Sequence, residues 1–207
     1  MKKLLGAAAA ALFAATPAFA ASTLIDFETA TSFASINEYY NGGADSAGAI
    51  GPSLGVSFGG DALALQNDPL GPYFSNAPSP LGVMAPVGAD ATMNVEAGFL
   101  GVSFFYASSD AVSGGVQAWS GLNGTGTLLG SFDLAANAQA GCSDSAFCHF
   151  DQLGAAFNGT AHSLTFGNAA NFAAFDNVAV TAVPEPSTML LMALGLTGLM
   201  LVQRRRG

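Results

Sequence analysis

Gly98-Phe99-Leu100-Gly101-Val102-Ser103-Phe104-Phe105-Tyr106 is the run on which the fold class turns. It holds no charge and no Pro. Its aromatic and β-branched residues favour extended backbone, and its glycines disfavour a helix. Side chains alternate across a strand, so adjacent Phe104 and Phe105 face opposite sides and both sides meet protein. The run predicts a central strand, with Leu100–Tyr106 as its firmest part.

Outward from this run the same pattern recurs in short pieces. Candidate strands are Thr23–Phe27, Gly55–Phe58, Ala62–Leu65, Thr92–Val95, Gly115–Trp119, Thr127–Leu134, Phe147–Leu153, Ser163–Phe166 and Phe175–Val180. No window shows a sustained apolar stripe of helical period. Short strands separated by Gly, Asn, Ser and Pro predict an all-β sandwich or jelly roll rather than alternating βα units. Asn123-Gly124 followed by Thr125-Gly126 marks a hairpin between Gly115–Trp119 and Thr127–Leu134. Asn158-Gly159-Thr160 reads as a further turn. A long flexible loop is expected from Asn41-Gly42-Gly43 to Gly51-Pro52, and another from Asp68-Pro69 to Pro80. Loops of this length on a β scaffold commonly carry binding residues.

Charge divides the chain into a body and two ends. All five Lys and Arg are terminal: Lys2, Lys3, Arg204, Arg205 and Arg206. Residues 21–183 hold thirteen of the fourteen Asp and Glu and no Lys or Arg. The body therefore forms no Lys or Arg ion pair, and it should repel nucleic acid and anionic lipid. Its carboxylates must be hydrated, hydrogen-bonded or metal-bound. Outside a cell Ca²⁺ is the natural counter-ion, because it takes carboxylate and carbonyl oxygens. A hydrophobic fraction of 51% with sixteen Phe is enough for a real core, so disorder is not expected.

The ends address membranes. Lys2 and Lys3, the apolar run Leu4–Ala15 and Ala18-Phe19-Ala20 make a secretory signal over residues 1–20, cut by signal peptidase before Ala21. The alternative is an uncleaved anchor helix. At the other end Val183-Pro184-Glu185-Pro186 precedes an apolar segment, 188–202, and then Arg204-Arg205-Arg206. Fifteen helical residues rise about 22 Å against a hydrocarbon core of about 30 Å, so arginine snorkelling and local thinning must cover the difference. The arginines should stay cytoplasmic and leave the body outside.

Residues 183–207 closely resemble the PEP-CTERM sorting signal of Gram-negative bacteria, with motif, span and basic stop in order. The resemblance implies recognition by an exosortase, a membrane cysteine transpeptidase, with cleavage near Pro184-Glu185-Pro186 after transient residence in the inner membrane. The other reading is a plain C-terminal anchor behind a proline-rich spacer. The body, residues 21–182, resembles the β-sandwich domains that often precede such signals. The matching features are Leu24-Ile25-Asp26-Phe27-Glu28, the Gly121–Gly126 hairpin and Phe175-Asp176-Asn177-Val178. The expected fold is thus all-β, a jelly-roll-like sandwich between a cleaved signal helix and a single C-terminal transmembrane helix.

Several residue sets could carry chemistry. Asp26 and Glu28 share one face of the opening strand, at a spacing of two. Carbohydrate-binding jelly rolls often tie first and last strands together with a structural Ca²⁺. By that resemblance Asp26, Glu28 and Asp176 are ligands, and the Asn41 loop adds carbonyls. The bland alternative is acids that cap strands and face water. Gln117 and Trp119 should point outward if Val116 and Ala118 point inward, giving a sugar-stacking platform to which the loop tyrosines Tyr39, Tyr40 and Tyr73 could add. The alternative places Trp119 as a plug at one end of the sandwich. Cys142 and Cys148 suit a short-range disulfide in an exported protein, or else a metal site with His149. No Gly-x-Ser-x-Gly or His-Glu-x-x-His is present. The reading is a non-catalytic, exported surface or matrix protein that binds exopolysaccharide with Ca²⁺. A purely adhesive matrix protein and a secreted glycan hydrolase are the alternatives.

Overall fold

The structure is a computed structural model that describes residues 21–183. The expected signal peptide over residues 1–20, Pro184 to Arg206 of the sorting signal and the 188–202 span lie outside the described residues. Nine strands run through it: β1 Ser22–Ile25, β2 Val56–Phe58, β3 Ala62–Gln66, β4 Gly82–Pro86, β5 Thr92–Ser108, β6 Val112–Trp119, β7 Leu128–Leu134, β8 Asp151–Thr165 and β9 Ala173–Ala182. Among the described residues no helix is long and apolar enough to cross a membrane.

The decisive run becomes the second half of a seventeen-residue strand, β5. Its first half pairs with β2 and with the end of β8, as Asn94 opposite Ser57 and Ser163. Its second half pairs with β9 and with the start of β8. The register breaks between Asn94 and Gly101, where β5 turns the corner. β5 and β8 thereby pass from one layer to the other, as strands do at the corners of a bent sandwich. One layer holds β2, the first half of β5, the end of β8, β6 and β7. The other holds β3, β4, β9, the second half of β5 and the start of β8, with β1 paired to β9. Phe104 of β5 packs on Phe132 of β7 at 5.2 Å across the layers, and on Phe175 of β9 at 5.8 Å within one. The expected all-β, sandwich-like class is what the chain adopts.

Some expectations differ from the structure in detail. Thr92–Val95 and Leu100–Tyr106 are one strand, because Glu96-Ala97-Gly98 is a bulge and not a turn. Phe147–Leu153 and Ser163–Phe166 mark the two ends of one strand, β8. Asn158-Gly159-Thr160 lies inside it. β4 was not anticipated, since Gly82–Pro86 is short and flanked by prolines. The hairpin is as expected: β6 and β7 pair antiparallel around Asn123 and Gly124, both at positive φ.

The 41–52 loop is pinned rather than loose. Buried Asp45 accepts hydrogen bonds from the backbone N–H of Thr31, Ala47 and Ala49 at 2.9–3.0 Å. Tyr39 and Tyr40, expected to lie on a binding loop, are core residues at 5% and 2% exposure. Tyr40 packs edge-on to Phe27 and Phe58, so neither tyrosine offers a sugar-stacking face. Their positions follow from Ile36 to Tyr40 folding against the sandwich end.

Candidate functional site

The outer face of the β2–β7 layer is polar. Val56, Phe58, Val116 and Ala118 face the core, so Ser57, Asn94, Gln117 and Trp119 face out. Two adjoining hollows of about 460 and 430 Å³ lie on this face and share Glu38, Ser57, Asn94 and Glu96. Together they form a groove. The turn carrying Glu38 and Asn41 makes one wall, and Leu122 and Asn123 at the hairpin tip make the other. Asp90 and Gly60 close one end.

Hydrogen bonds hold this groove in shape. Asn123 N–H donates to Asn94 Oδ1 at 2.8 Å, and Asn94 Nδ2 donates to Asn123 Oδ1 at 2.9 Å. Gly124 N–H donates to Ser163 Oγ at 3.0 Å, which donates to the Gly121 carbonyl at 2.7 Å. The hairpin is thereby folded down onto the sheet face. Asn41 Nδ2 donates to Glu38 Oε2 at 2.9 Å, and Gly60 N–H to Asp90 Oδ2 at 2.9 Å. No described residue donates to the exposed Glu96 carboxylate. Ser57, Asn94 and Glu96 were not singled out from sequence, although the alternation of Val56-Ser57-Phe58 and Met93-Asn94-Val95 already turns Ser57 and Asn94 outward.

The sequence-derived ligand residues separate. Gln117 and Trp119 sit half-buried on the outer face, as alternation requires, and Trp119 Nε1 donates to Thr165 Oγ1 at 3.2 Å. The folded hairpin stands between Trp119 and the groove, since Gly124 lies against the indole. Tyr73 is on the loop before β4, where it stacks edge-on with exposed Phe33 at 5.5 Å and bonds Asp68 through its hydroxyl at 3.3 Å. Asn41 belongs to the groove rather than to the β1–β9 corner.

Asp26, Glu28 and Asp176 lie near that corner, but not as expected. β1 ends at Ile25 and Phe27 sits at φ 58°, so Asp26 and Glu28 lie on the turn after the strand rather than on one strand face. The three carboxylates do not come together within 4.8 Å. In the β5–β9 register Ser103 opposes Ala179 and Phe105 opposes Asp176, so Phe104 faces two residues, a bulge at Asn177 with φ 48°. Phe175 then enters the core, while Asp176 is buried beneath the 79–82 segment. Ser79 donates to Asp176 twice, from N–H at 2.8 Å and Oγ at 2.6 Å, and Asn177 N–H donates at 2.6 Å. Burial pushes the Asp176 carboxyl up to about 6, with Glu28 adding to the rise, against the pull of those hydrogen bonds. Glu28 Oε1 accepts from Leu81 N–H at 2.7 Å and Gly82 N–H at 3.0 Å. Two acids thus latch the 79–82 segment to β9 and to the turn that follows β1.

Two buried polar atoms among the described residues lack a partner, the Tyr40 hydroxyl and Asn177 Oδ1. Burial, then the negative charge of Asp26, holds the Tyr40 phenol above its ordinary value. Asn177 Oδ1 and the Asp26 and Glu28 oxygens not used by the latch are oxygen donors of the kind a hard cation takes. The Asp176 oxygens are already engaged by the latch. Cys142 and Cys148 form a disulfide that closes the loop before β8. With Asp144 they are the one group of three His, Cys, Asp or Glu ligand atoms within 4.8 Å among the described residues, and bonded sulfurs are no thiolate ligands. His149 contacts the Asp151 carboxylate at 3.1 Å and takes no part with the sulfurs.

Residues 182–206 match the family model of the PEP-CTERM protein-sorting motif. The chain therefore carries that signal, which marks an exported protein. No curated protein matches this chain in sequence. Among solved structures, the K2 cleaved adhesin domain of Lys-gingipain is similar at 12% identity and a TM-score of 0.47, over 78% of this chain and 99% of that one. CsCBM6-3 from Clostridium stercorarium, solved with cellobiose, is similar at 13% identity and TM-score 0.38, over 61% and 86%. The family 29 carbohydrate-binding module CBM29_1 from Piromyces equi gives 10% identity and TM-score 0.39, over 84% and 98%.

Proposed function

We propose that this chain is an exosortase-processed surface or matrix protein whose jelly-roll-like sandwich binds extracellular polysaccharide without cleaving it. The observation that carries the reading is the groove: hydroxyl, amide and carboxylate groups on the outer face of a rigid sheet, in a chain with an export signal. Sugar hydroxyls are both donors and acceptors, and Ser57, Asn94 and Glu38 match that mixture. Trp119, on the far side of the hairpin, supplies an aromatic face for a chain long enough to cross Asn123. A non-catalytic role fits the placement of Asp176. Its raised carboxyl is the kind a general acid needs, yet it is covered by Ser79 and does not face the groove.

Ca²⁺ belongs to this proposal as a structural ion at the β1–β9 corner, held by Asp26, Glu28 and Asn177. It would neutralise part of the corner's charge and satisfy the unpartnered Asn177 oxygen. Glycan-array binding by the exported protein, with and without EGTA, tests both ideas. Hits lost on Asn94→Ala support the groove, and an array blank under both conditions ends the lectin-like reading. A thermal midpoint indifferent to Ca²⁺ removes the ion alone. Intact mass of the extracellular form tests processing, since a product still carrying Arg204 to Arg206 rules out tail removal.

One observation favours the adhesive alternative. Phe33 and Leu70 are 56% and 87% exposed beside Tyr73, and Phe33 is held at φ 61°, a costly backbone for an aromatic. An apolar lip of this kind suits protein contact in a matrix. Phe33→Ser would weaken adhesion and leave glycan binding intact under that reading.

A further inference from the structure

The start of β8 is an open sheet edge, and what it offers is independent of the groove and of any glycan. We propose that it pairs with the same strand of a second copy of this chain, antiparallel about Ala155, giving a two-fold dimer joined through one continuous sheet.

The fold covers the edges of β2 and β3. The 33–36 segment lies along β3, with Phe33 N–H donating to the Ala64 carbonyl at 2.8 Å and Ile36 N–H to the Ala62 carbonyl at 2.9 Å. The next turn serves β2, where Phe58 N–H donates to the Asn37 carbonyl at 2.8 Å. β8 is left bare. It has β5 on one side of 151–156, and its pairing with β6 covers only 163–165. Among the described residues, no backbone hydrogen bond outside the β5 ladder reaches 151–160. In an antiparallel ladder every second residue turns its N–H and C=O away from the partner, so a row of these groups on β8 faces outward unpaired.

Two independent observations select a second copy. The first is charge. No Asp, Glu, Lys or Arg occurs from Gln152 to Phe175 or in residues 111–132. The second stretch contains most of β7, which flanks the same edge, since Phe157 lies against Gly130 and on Phe99 at 5.9 Å. Two bodies that carry only carboxylates can meet here without setting charge on charge. The edge also lacks the Lys, Pro and inward-pointing charge that keep edge strands apart. The second observation is symmetry. Gln152-Leu153-Gly154-Ala155-Ala156-Phe157-Asn158 reads alike from either end: amide, apolar, three small residues, apolar, amide. Antiparallel pairing centred on Ala155 sets Gln152 opposite Asn158 of the second copy and Leu153 opposite its Phe157. Leu153 and Phe157 are only partly buried against the core, and Ala155 between them is exposed, so the added strand completes a core face left open. The two Asp151 carboxylates stay apart, because eight positions at about 3.3 Å each separate them by about 26 Å. The contact uses one patch on both copies, so association closes at two.

The test is sedimentation equilibrium of the full chain in density-matched detergent. A dimer is expected. Ala155→Glu or Ala155→Lys alone should weaken it about ten-fold or more, because like charges then meet at the two-fold axis. Mixing the two variants should restore a dimer with one chain of each, which a folding defect could not do. Ala155 is exposed, and a melt of each variant runs alongside. Ala155→Cys should cross-link in air to a reducible dimer, since facing Cα atoms in such a pair lie within disulfide reach and the described residues hold no free thiol. A monomer at every concentration overturns the proposal and leaves the edge to a different partner. A dimer that both charge variants keep also overturns it, and assigns the association to the 188–202 segment or to another face.

Discussion

Two buried carboxyls respond to pH in opposite senses. Asp176 has its folded-state value raised from 3.8 to about 6, so the folded protein holds the proton more tightly than the unfolded chain. Its contribution is therefore fully present below about 3.8 and is lost as pH rises to about 6. The loss is up to about 3 kcal/mol, from roughly two pKa units at 1.36 kcal/mol each. Asp176→Asn removes that slope. Urea unfolding from pH 4 to 7 should show the parent losing stability relative to the variant across this window, and a constant difference would disprove the account. Asp45 is the reverse case. Burial pushes its carboxyl up, but hydrogen bonds from Thr31, Ala49 and Ala47 together outweigh burial and hold it below the ordinary value. Its stabilisation is present at neutral pH and is lost as pH falls through that lowered value. Asp45→Ala leaves three backbone donors without their acceptor and should cost about 2–4 kcal/mol at pH 7, measured by chemical unfolding.

Two long loops cover the outer face of the β3–β4–β9 layer as a pair. Phe74 is buried with Val83 and Ala174, and Phe147 packs against them. Ser75 N–H donates to the Phe147 carbonyl at 3.0 Å, and Asn76 Nδ2 to the Cys148 carbonyl at 3.1 Å. The disulfide holds Phe147 in the seven-residue loop that makes these contacts. Replacing both cysteines by Ser should cost about 2 kcal/mol on the loop-entropy account. It should also expose Phe74, seen as faster amide exchange at Ser75 with β5 unaffected. An unchanged midpoint would mean the loop is held by its backbone bonds alone. The pairing was legible from sequence because two cysteines in an exported body have little else to do. The strand pattern was legible wherever apolar residues alternate, as in β6 and β7. It failed in β8, where Asn158-Gly159-Thr160 looks like turn chemistry. Gly154 is in fact required there, since a Cβ would come within 2.8 Å of the Val102 carbonyl. Site residues fared unevenly for one physical reason. Outward alternation located Gln117 and Trp119, whereas the strand spacing read for Asp26 and Glu28 failed, because β1 ends at Ile25 and the chain turns at Phe27. No local pattern says that Ser79 will cover Asp176, or that a turn 56 residues before Asn94 will supply Glu38 across the groove, because those contacts exist only after the layers close.

The whole body behaves electrostatically as one polyanion. Thirteen carboxylates and no Lys or Arg give residues 21–183 a formal charge near −13 with both histidines neutral. The one contact of a His, Lys or Arg side chain with a carboxylate among the described residues is His149 with Asp151, on the surface. Compactness brings these charges closer than they are in the unfolded chain, so folding works against their repulsion. Two unit charges 10 Å apart in water repel by about 0.4 kcal/mol. Raising monovalent salt from 10 to 150 mM shortens the screening length from about 30 Å to about 8 Å, which removes most of that repulsion. With EGTA present, so that no divalent ion contributes, the midpoint should rise by about 2–4 °C, equivalent to about 1 kcal/mol for a domain of this length. A domain held by many surface ion pairs would move the other way, because salt weakens attraction as well as repulsion. A midpoint that falls with salt would therefore overturn the polyanion account.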